Sequence, residues 1–162
     1  MTSAVRVAFG RGTAELAMQA AIASNVHAYV ALFAIGLGSI TRRHGYEVGD
    51  RAFASFGSQI ASNLGTGDLL FRWKGPTLVA LMERPDCNEA APPEMGKMAA
   101  LRPEAALEID GKSVNIALSM SSISFPLWKY KDIQAVRQVL DQCQNTIARD
   151  PVQPPATAAP AA

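Results

Sequence analysis

The sequence predicts an α+β protein with a single central, mostly antiparallel sheet flanked by helices. Two apolar runs of strand length, 69–73 and 78–82, are separated by four residues, which is the pattern of a hairpin. A longer run rich in β-branched and aromatic residues, 26–37, predicts another strand. Apolar stripes at helical spacing alternate with these runs, so we expect helices to pack against the faces of one sheet.

The hairpin is the segment around which this prediction is built. Its tip reads Lys74-Gly75-Pro76-Thr77, where glycine supplies backbone freedom and proline fixes φ. Pro76 has no N–H and therefore belongs at the mouth of the strands, outside the hydrogen-bonded ladder. Both flanking runs are almost continuously apolar, as in central strands that are buried on both faces. We therefore expect a cationic loop raised on two buried strands.

The chain before the hairpin predicts two helices around the long strand. A helix runs from about residue 13 to 24, and the strand 26–37 follows it. Glycines at the end of this strand predict that it stops there, and residues 41–45 form a basic connection to the second helix. The second helix begins at residue 48 or 50 and ends near 64. Its apolar stripe consists of Phe53, Phe56, Ile60 and Leu64.

The chain after the hairpin predicts one or two helical turns, a strand pair and a last helix. The turns occupy residues 95–101. Strands at 106–109 and 113–125 flank an Asp-Gly turn, and a proline ends the second strand. The last helix covers 131–148, and its apolar stripe consists of Ile133, Val136, Leu140, Cys143 and Ile147.

Length and composition indicate one globular domain. The 162 residues divide into a lead-in at 1–12, a folded domain at 13–149 and a Pro/Ala-rich tail at 150–162, which is expected to be disordered or a linker. A net charge of +1 argues against nucleic acid as a partner. No run approaches the ~18 apolar residues of a membrane span. No signal peptide is recognisable, so the cytoplasm is expected. Cys87 and Cys143 have no metal-ligand spacing.

Three motifs carry a family resemblance. The hairpin 72–81 pairs a Gly-containing tip with two apolar strands, Gly49-Asp50 opens the second helix, and residues 116–126 form a strand that ends in Phe-Pro. Together they resemble the GGDEF domain of the diguanylate cyclase family, whose tip reads Gly-Gly-Asp/Glu-Glu-Phe. The resemblance runs from about residue 14 to 147. It implies a fold related to the polymerase palm, with a ferredoxin-like core.

The carboxylates that this family's chemistry requires are missing from the sequence. Joining two nucleoside triphosphates needs divalent metal, and magnesium prefers carboxylate oxygens. In a palm-like site these come from the end of the first central strand and from the hairpin tip. No Asp or Glu occurs between Glu15 and Glu47, or between Asp68 and Glu83. The expected metal positions fall on Phe33, Ile35, Gly36, Gly38, Pro76 and Thr77. We therefore expect no catalytic residue, metal or cofactor.

Two further family sites are altered. The acidic residues of the family's tip are replaced by Pro76 and Thr77. The family's feedback site, Arg-x-x-Asp before the hairpin, keeps Asp68 but has Gly65 in place of the arginine. The resemblance therefore implies weak or absent product binding at this degenerate feedback site.

The remaining candidate binding residues include several cations. Arg42, Arg43 and Lys74 are candidate anion contacts at the strand mouths, with a solvated basic rim as the favoured alternative. The altered hairpin is a candidate interaction surface, formed by Arg72, Lys74, Gly75, Pro76 and Thr77.

These features lead to one functional hypothesis and two alternatives. The hypothesis is a catalytically inactive GGDEF-like domain that acts as a regulatory or protein-interaction module in bacterial signalling. Its partner would be another protein or an adjoining effector domain, and a homodimer is left open. The first alternative is a sensor that binds GTP or cyclic di-GMP without turnover. The second, an enzyme of different chemistry, ranks last because the sequence contains no nucleophile–base constellation.

Overall fold

The computed structural model describes residues 10–65, 67–89 and 91–148. This part of the chain forms five α-helices, six β-strands and one 3-10 turn in the order α1 (Arg11–Ala23), β1 (Ala28–Ile35), α2 (Gly38–His44), α3 (Tyr46–Ala61), β2 (Leu69–Arg72), β3 (Thr77–Glu83), α4 (Glu94–Ala99), β4 (Glu104–Ile109), β5 (Lys112–Ala117), β6 (Met120–Pro126), the 3-10 turn (Leu127–Lys129) and α5 (Ile133–Ala148).

The central sheet has four antiparallel strands in the order β2-β3-β1-β6. Helices connect β1 to β2, and α4 lies in the connection from β3 to β6. This is the arrangement of a ferredoxin-like core, so the predicted fold class is confirmed. Strand β1 lies in the middle of the sheet and is buried along its full length.

Two hydrophobic cores cover the two faces of the sheet. On one face, α3, α4 and the β4–β5 hairpin pack on one set of side chains of β1, with Phe33, Phe56 and Met98 fully buried. On the other face, α1 and α5 pack on the alternate side chains, with Met18 and Leu140 fully buried. The predicted stripe of the second helix, and that of the last helix as far as Cys143, thus face the sheet, because a 3.6-residue period places them on one side of each helix. The side chain of Ile147 lies outside the described part of the structure.

Several predicted boundaries differ from the structure by a few residues, and two of these differences change an element. Helix α1 begins at Arg11, inside the stretch that was expected to be a lead-in. The basic connection at 41–45 is the end of a short helix, α2, which Gly45 terminates with a φ of 93° before α3 starts at Tyr46. Basic side chains suit this position because the end of a helix carries partial negative charge. The predicted tail at 150–162 and residues 1–9 lie outside the described residues.

Two strand predictions are also corrected. The first run of the hairpin is not central: β2 forms an edge of the sheet, and Leu69 is 40% exposed. The long strand predicted at 113–125 is two strands, because Leu118 is buried and its N–H donates to the Pro103 carbonyl (2.8 Å). As a result, β5 pairs with β4 in a separate two-stranded sheet, and β6 joins the central one. No helix in the described part of the chain is long and apolar enough to cross a membrane.

Candidate functional site

The backbone of the hairpin tip is held in place by a set of hydrogen bonds. The Trp73 N–H donates to the Thr77 carbonyl (3.0 Å), which leaves a three-residue loop with Gly75 at a φ of 59°. The buried Thr77 hydroxyl donates to the Lys74 carbonyl (2.5 Å) and accepts from the Lys74 N–H (3.1 Å). Gln144 of α5 donates to the same carbonyl (2.9 Å). As predicted, Pro76 lies outside the β3 ladder, since β3 begins at Thr77.

The hairpin tip and the carboxyl end of β1 lie side by side, and residues 33–38 and 73–77 are called the strand mouth below. The Ile35 N–H donates to the Pro76 carbonyl (3.1 Å), which joins the two segments. The structure thus brings together the two places where a palm-like site would carry its carboxylates. Phe33 and Ile35 point into the core there, at 0% and 3% exposure.

The side chains at the strand mouth do not fit a magnesium ion. The segment holds no carboxylate, and the Thr77 hydroxyl is engaged with the backbone of Lys74. The nearest acidic residues after β1 in the sequence, Glu47 and Asp50, are exposed on α3. Within the described residues, no three His, Cys, Asp or Glu side chains are grouped so that they could hold a metal. Magnesium binding needs several oxygen ligands around one point, and this donor set does not supply them.

The basic residues lie exposed around the strand mouth. Arg42 and Arg43 are exposed at the end of α2, and Lys74 is exposed at the hairpin tip. Arg72 is also exposed, and its guanidinium lies 4.5 Å from the centre of the Phe53 ring. Among the described residues, no hydrogen bond or ion pair brings Arg42 or Arg43 together with the hairpin. The arrangement has the form of a solvated basic rim, and an anion-binding role for it stays a prediction.

At the position where the sequence predicts a degenerate feedback site, the Asp68 carboxylate is bound by other residues of the chain. Asp68 is 3% exposed, and its two carboxylate oxygens accept hydrogen bonds from both terminal nitrogens of Arg84, at 2.7 and 2.6 Å. The Gly65 N–H donates to the same carboxylate (2.7 Å). Arg84 also donates to Glu94 of α4 (3.2 Å). These three acidic and basic side chains, Asp68, Arg84 and Glu94, are called the Asp68 cluster below. The hydrogen bonds that Arg84 donates to Asp68 hold the pKa of Arg84 above its usual value, so the arginine stays charged.

A second ionic network, which the sequence analysis missed, ties α1 and α5 to the hairpin. Glu15 accepts from Arg11 (3.0 Å) and from Arg137 (2.9 Å). Arg11 also pairs with Asp141 (2.9 Å), and the Trp73 indole N–H donates to Asp141 (3.3 Å). The i,i+4 spacing of Arg11 and Glu15 on a helix was visible in the sequence. The links between the two helices were not.

The fold and the hairpin define the class of this protein. A family model described as the diguanylate cyclase GGDEF domain matches residues 9–149, and the chain belongs to this family. A comparison with curated proteins gave no match.

Solved structures share the fold at low sequence identity. The GGDEF domain of YfiN (TpbB) from Pseudomonas aeruginosa is 18% identical, with a TM-score of 0.68 over 86% of this chain and 89% of that one. The diguanylate cyclase SiaD of the same organism, solved in complex with its activator SiaC, is 14% identical, with a TM-score of 0.63 over 86% of this chain and 55% of SiaD. DgcB from Caulobacter crescentus, solved with c-di-GMP, is 12% identical, with a TM-score of 0.63 over 86% of this chain and 76% of that one.

Proposed function

We propose that this GGDEF domain is catalytically inactive and acts as a regulatory or protein-interaction module in cyclic di-GMP signalling. The observation that carries the proposal is the composition of the strand mouth, where β1 and the hairpin meet without a carboxylate. Phosphoryl transfer depends almost entirely on positioning and on neutralising charge, and divalent metal does much of the neutralising. A site that cannot hold the metal loses that contribution.

The interaction role is supported by the form of the hairpin tip. Lys74 and Gly75 are exposed, while the backbone beneath them is fixed by Thr77 and Gln144. A rigid exposed loop loses little conformational entropy on binding, which favours recognition by a partner. SiaD, which shares the fold, was solved with an activator protein, so a protein partner is the expected kind of ligand here. An acidic surface on that partner would complement Arg72 and Lys74.

The test of inactivity is an incubation with GTP in the presence of magnesium or manganese, followed by chromatography for cyclic di-GMP. We expect no product at any enzyme concentration at which an active GGDEF domain, used as a parallel control, converts its substrate. Formation of cyclic di-GMP by the purified chain would contradict the proposal. A variant with Arg72 and Lys74 replaced by Ala should lose a partner captured by the intact domain but keep its fold, because both side chains are exposed.

A nucleotide sensor is the second candidate, and the exposed cations around the strand mouth favour it. Arg42, Arg43 and Lys74 offer charge to a phosphate without a metal. Calorimetry with GTP and with cyclic di-GMP, each with and without magnesium, separates the two proposals. Binding heat that disappears in a variant with all three cations replaced by Ala would favour the sensor. No heat at high ligand concentration would remove it.

A further inference from the structure

A small pocket lies at the end of the central sheet opposite the strand mouth. It opens between the end of α1, the start of β1 and the segment 127–131 that joins β6 to α5, and its volume is about 290 Å³. Because β1 runs from this pocket to the strand mouth, the two places lie roughly 25 Å apart. Ligand sites in proteins begin at about this volume. The pocket is called the Trp128 pocket below.

Trp128 forms a preorganised aromatic wall of this pocket. Its ring is stacked on His27, with the ring centres 3.9 Å apart and the planes at 17°, and it meets Tyr29 edge-on at 5.0 Å. His27 is fixed in turn, because its Nε2–H donates to the Cys87 carbonyl (2.6 Å). Despite these contacts, 43% of Trp128 is exposed. A large aromatic surface that is held in place and left open is suited to stacking against a planar ligand.

The other lining residues include an apolar and a polar group. Ile22, Val26 and Leu127 supply aliphatic surface. The polar side chains are Lys131 and Asn25, which lies just beyond α1 with a φ of 56°, and both residues are exposed. Neither side chain makes a hydrogen bond or an ion pair with another described residue. A pocket of this kind takes a ligand that has an apolar ring and one polar group.

The charges around the pocket favour an anion over a cation. Among the described residues that line the pocket, none is acidic. Carbonyl groups at the end of α1 would attract a cation, but three of them already accept the N–H groups of residues 24–26. The carboxylate of Asp132, beside Lys131 in the sequence, accepts from the Ala135 N–H (3.0 Å) at the start of α5. The ammonium group of Lys131 is therefore available for a charge-assisted hydrogen bond to an anion.

We infer that the Trp128 pocket is a binding site for a small planar aromatic carboxylate, with its ring against the Trp128 indole and its carboxylate at Lys131. Burial of the ring against Trp128 and the aliphatic lining supplies most of the affinity, and Lys131 supplies the preference for an anion. A single lysine suits the one charge of a carboxylate better than the two charges of a phosphate monoester, which takes several donors. The inference does not depend on whether the domain is catalytic or binds a nucleotide at the strand mouth.

The test uses the intact chain, 2-naphthoate as the probe, and NMR spectra of the tryptophan indole N–H groups, which Trp128→Phe assigns. We expect 2-naphthoate to shift the Trp128 signal with a Kd on the order of 1 mM or lower. The signal of Trp73, which is 3% exposed, should not move. The neutral 2-naphthamide should bind about three- to fivefold more weakly, because it lacks the charge that Lys131 recognises. Cyclohexanecarboxylate, which has no aromatic ring, should bind about tenfold more weakly.

The variants locate the carboxylate. Lys131→Ala should remove the difference in affinity between 2-naphthoate and 2-naphthamide and leave 2-naphthamide binding unchanged. Lys129→Ala is the matched control, because Lys129 is also exposed but does not line the pocket, and it should preserve the difference. Lys74→Ala, at the strand mouth, should preserve it as well.

Three outcomes overturn the inference. The first is a Trp128 signal that does not move at about 10 mM 2-naphthoate, tenfold above the expected constant. The second is a preference for the carboxylate that survives in Lys131→Ala. The third is an equal loss of this preference in Lys129→Ala or Lys74→Ala, since the probe would then respond to general surface charge or bind at the strand mouth.

Discussion

The two ends of the β2–β3 hairpin differ in the charges that they carry and in the contacts that hold them. At its tip, Arg72 and Lys74 are exposed, and the strand mouth contains no acidic residue. At its base, the buried carboxylate of Asp68 is held by Arg84 on two oxygens. The Lys74 and Thr77 backbone at the tip is fixed by hydrogen bonds between neutral groups, and charged groups reach the tip only through the contact of Trp73 with Asp141 and Arg11. The base is fixed by an ion pair.

The difference explains why the family's sequence signature can disappear from one end without loss of the fold. The tip needs Gly75 for its backbone angle and Thr77 for its hydrogen bonds, and neither role requires an acidic residue. The base cannot vary in this way, because an unpaired charge inside a protein is costly. Changes at the tip should therefore affect stability much less than changes at the base, and variants at the two ends should show it.

The largest effect is expected at the base. Arg84→Met leaves Asp68 buried without its cation, and we expect it to lower the free energy of unfolding by about 3–5 kcal/mol. The measurement is urea denaturation followed by circular dichroism. Lys74→Met at the tip is the matched control, with a change within about 0.5 kcal/mol because its side chain is exposed. Equal costs for the two variants would remove the distinction between the ends.

The second prediction concerns how α2 packs on α3 beside the strand mouth. A Cβ added at Gly49 would lie 2.7 Å from the Thr41 hydroxyl oxygen, which is closer than side chains pack. We expect the overlap in Gly49→Ala to cost about 1–3 kcal/mol, of which the higher helix propensity of Ala offsets roughly 1 kcal/mol. Thr41→Ala removes the obstructing atom, so the double variant should recover most of the loss. A cycle of the two single variants and the double variant, measured by urea denaturation, would show no coupling if the overlap were unimportant.

Most of the framework could be predicted from the sequence, because it follows from local pattern. The hairpin strands and β1 are apolar runs of strand length, and the apolar face of α3 has the period of a helix. The split between β5 and β6 could not, since residues 113–125 read as one strand until Leu118 is seen to enter the core. Likewise, β2 was predicted to be central because its apolar residues do not reveal which strand lies at an edge.

The residues that the candidate site lacks could be predicted from the sequence. The contacts that it contains could be predicted less well. The missing carboxylates are a property of the sequence, and the register of β1 with β3 places both empty segments together. The partner of Asp68 was not foreseen. Arg84 is 16 residues away, and only the strand register brings the start of β2 near the end of β3. Ionic contacts between elements depend on such tertiary detail, which local pattern does not encode.

The third prediction compares the hydrogen bonds that two uncharged side chains, Thr77 and Gln144, make with Lys74 at the tip. Thr77→Val keeps the shape of this buried side chain but removes both of its hydrogen bonds to Lys74, and we expect a cost of about 1–2 kcal/mol. Gln144→Met also removes a hydrogen bond to Lys74, yet the amide oxygen of Gln144 is buried with no hydrogen-bond partner among the residues that the structure describes. Losing that unsatisfied oxygen offsets the lost bond, so the net change should stay below about 1 kcal/mol. If the Gln144 hydrogen bond were the stronger one, denaturation curves would show a larger loss of stability for Gln144→Met than for Thr77→Val.

The smallest effect is a pH dependence in the ionic network that joins α1 and α5. Burial alone would raise the pKa of Glu15, but hydrogen bonds from Arg137 and Arg11 outweigh it, and the pKa lies below its usual 4.5. A carboxylate with a lowered pKa in the folded state contributes stability that is fully present above 4.5 and is lost as the pH falls through the folded value.

The wild-type chain should therefore lose more stability than Glu15→Gln between about pH 5 and about pH 3, and their free energies of unfolding should approach each other at the acidic end. Asp50→Asn removes the same charge from an exposed site on α3 and should leave the acid-induced loss close to that of the wild type. Parallel pH profiles for the wild type and Glu15→Gln would mean that the network contributes nothing through this carboxylate.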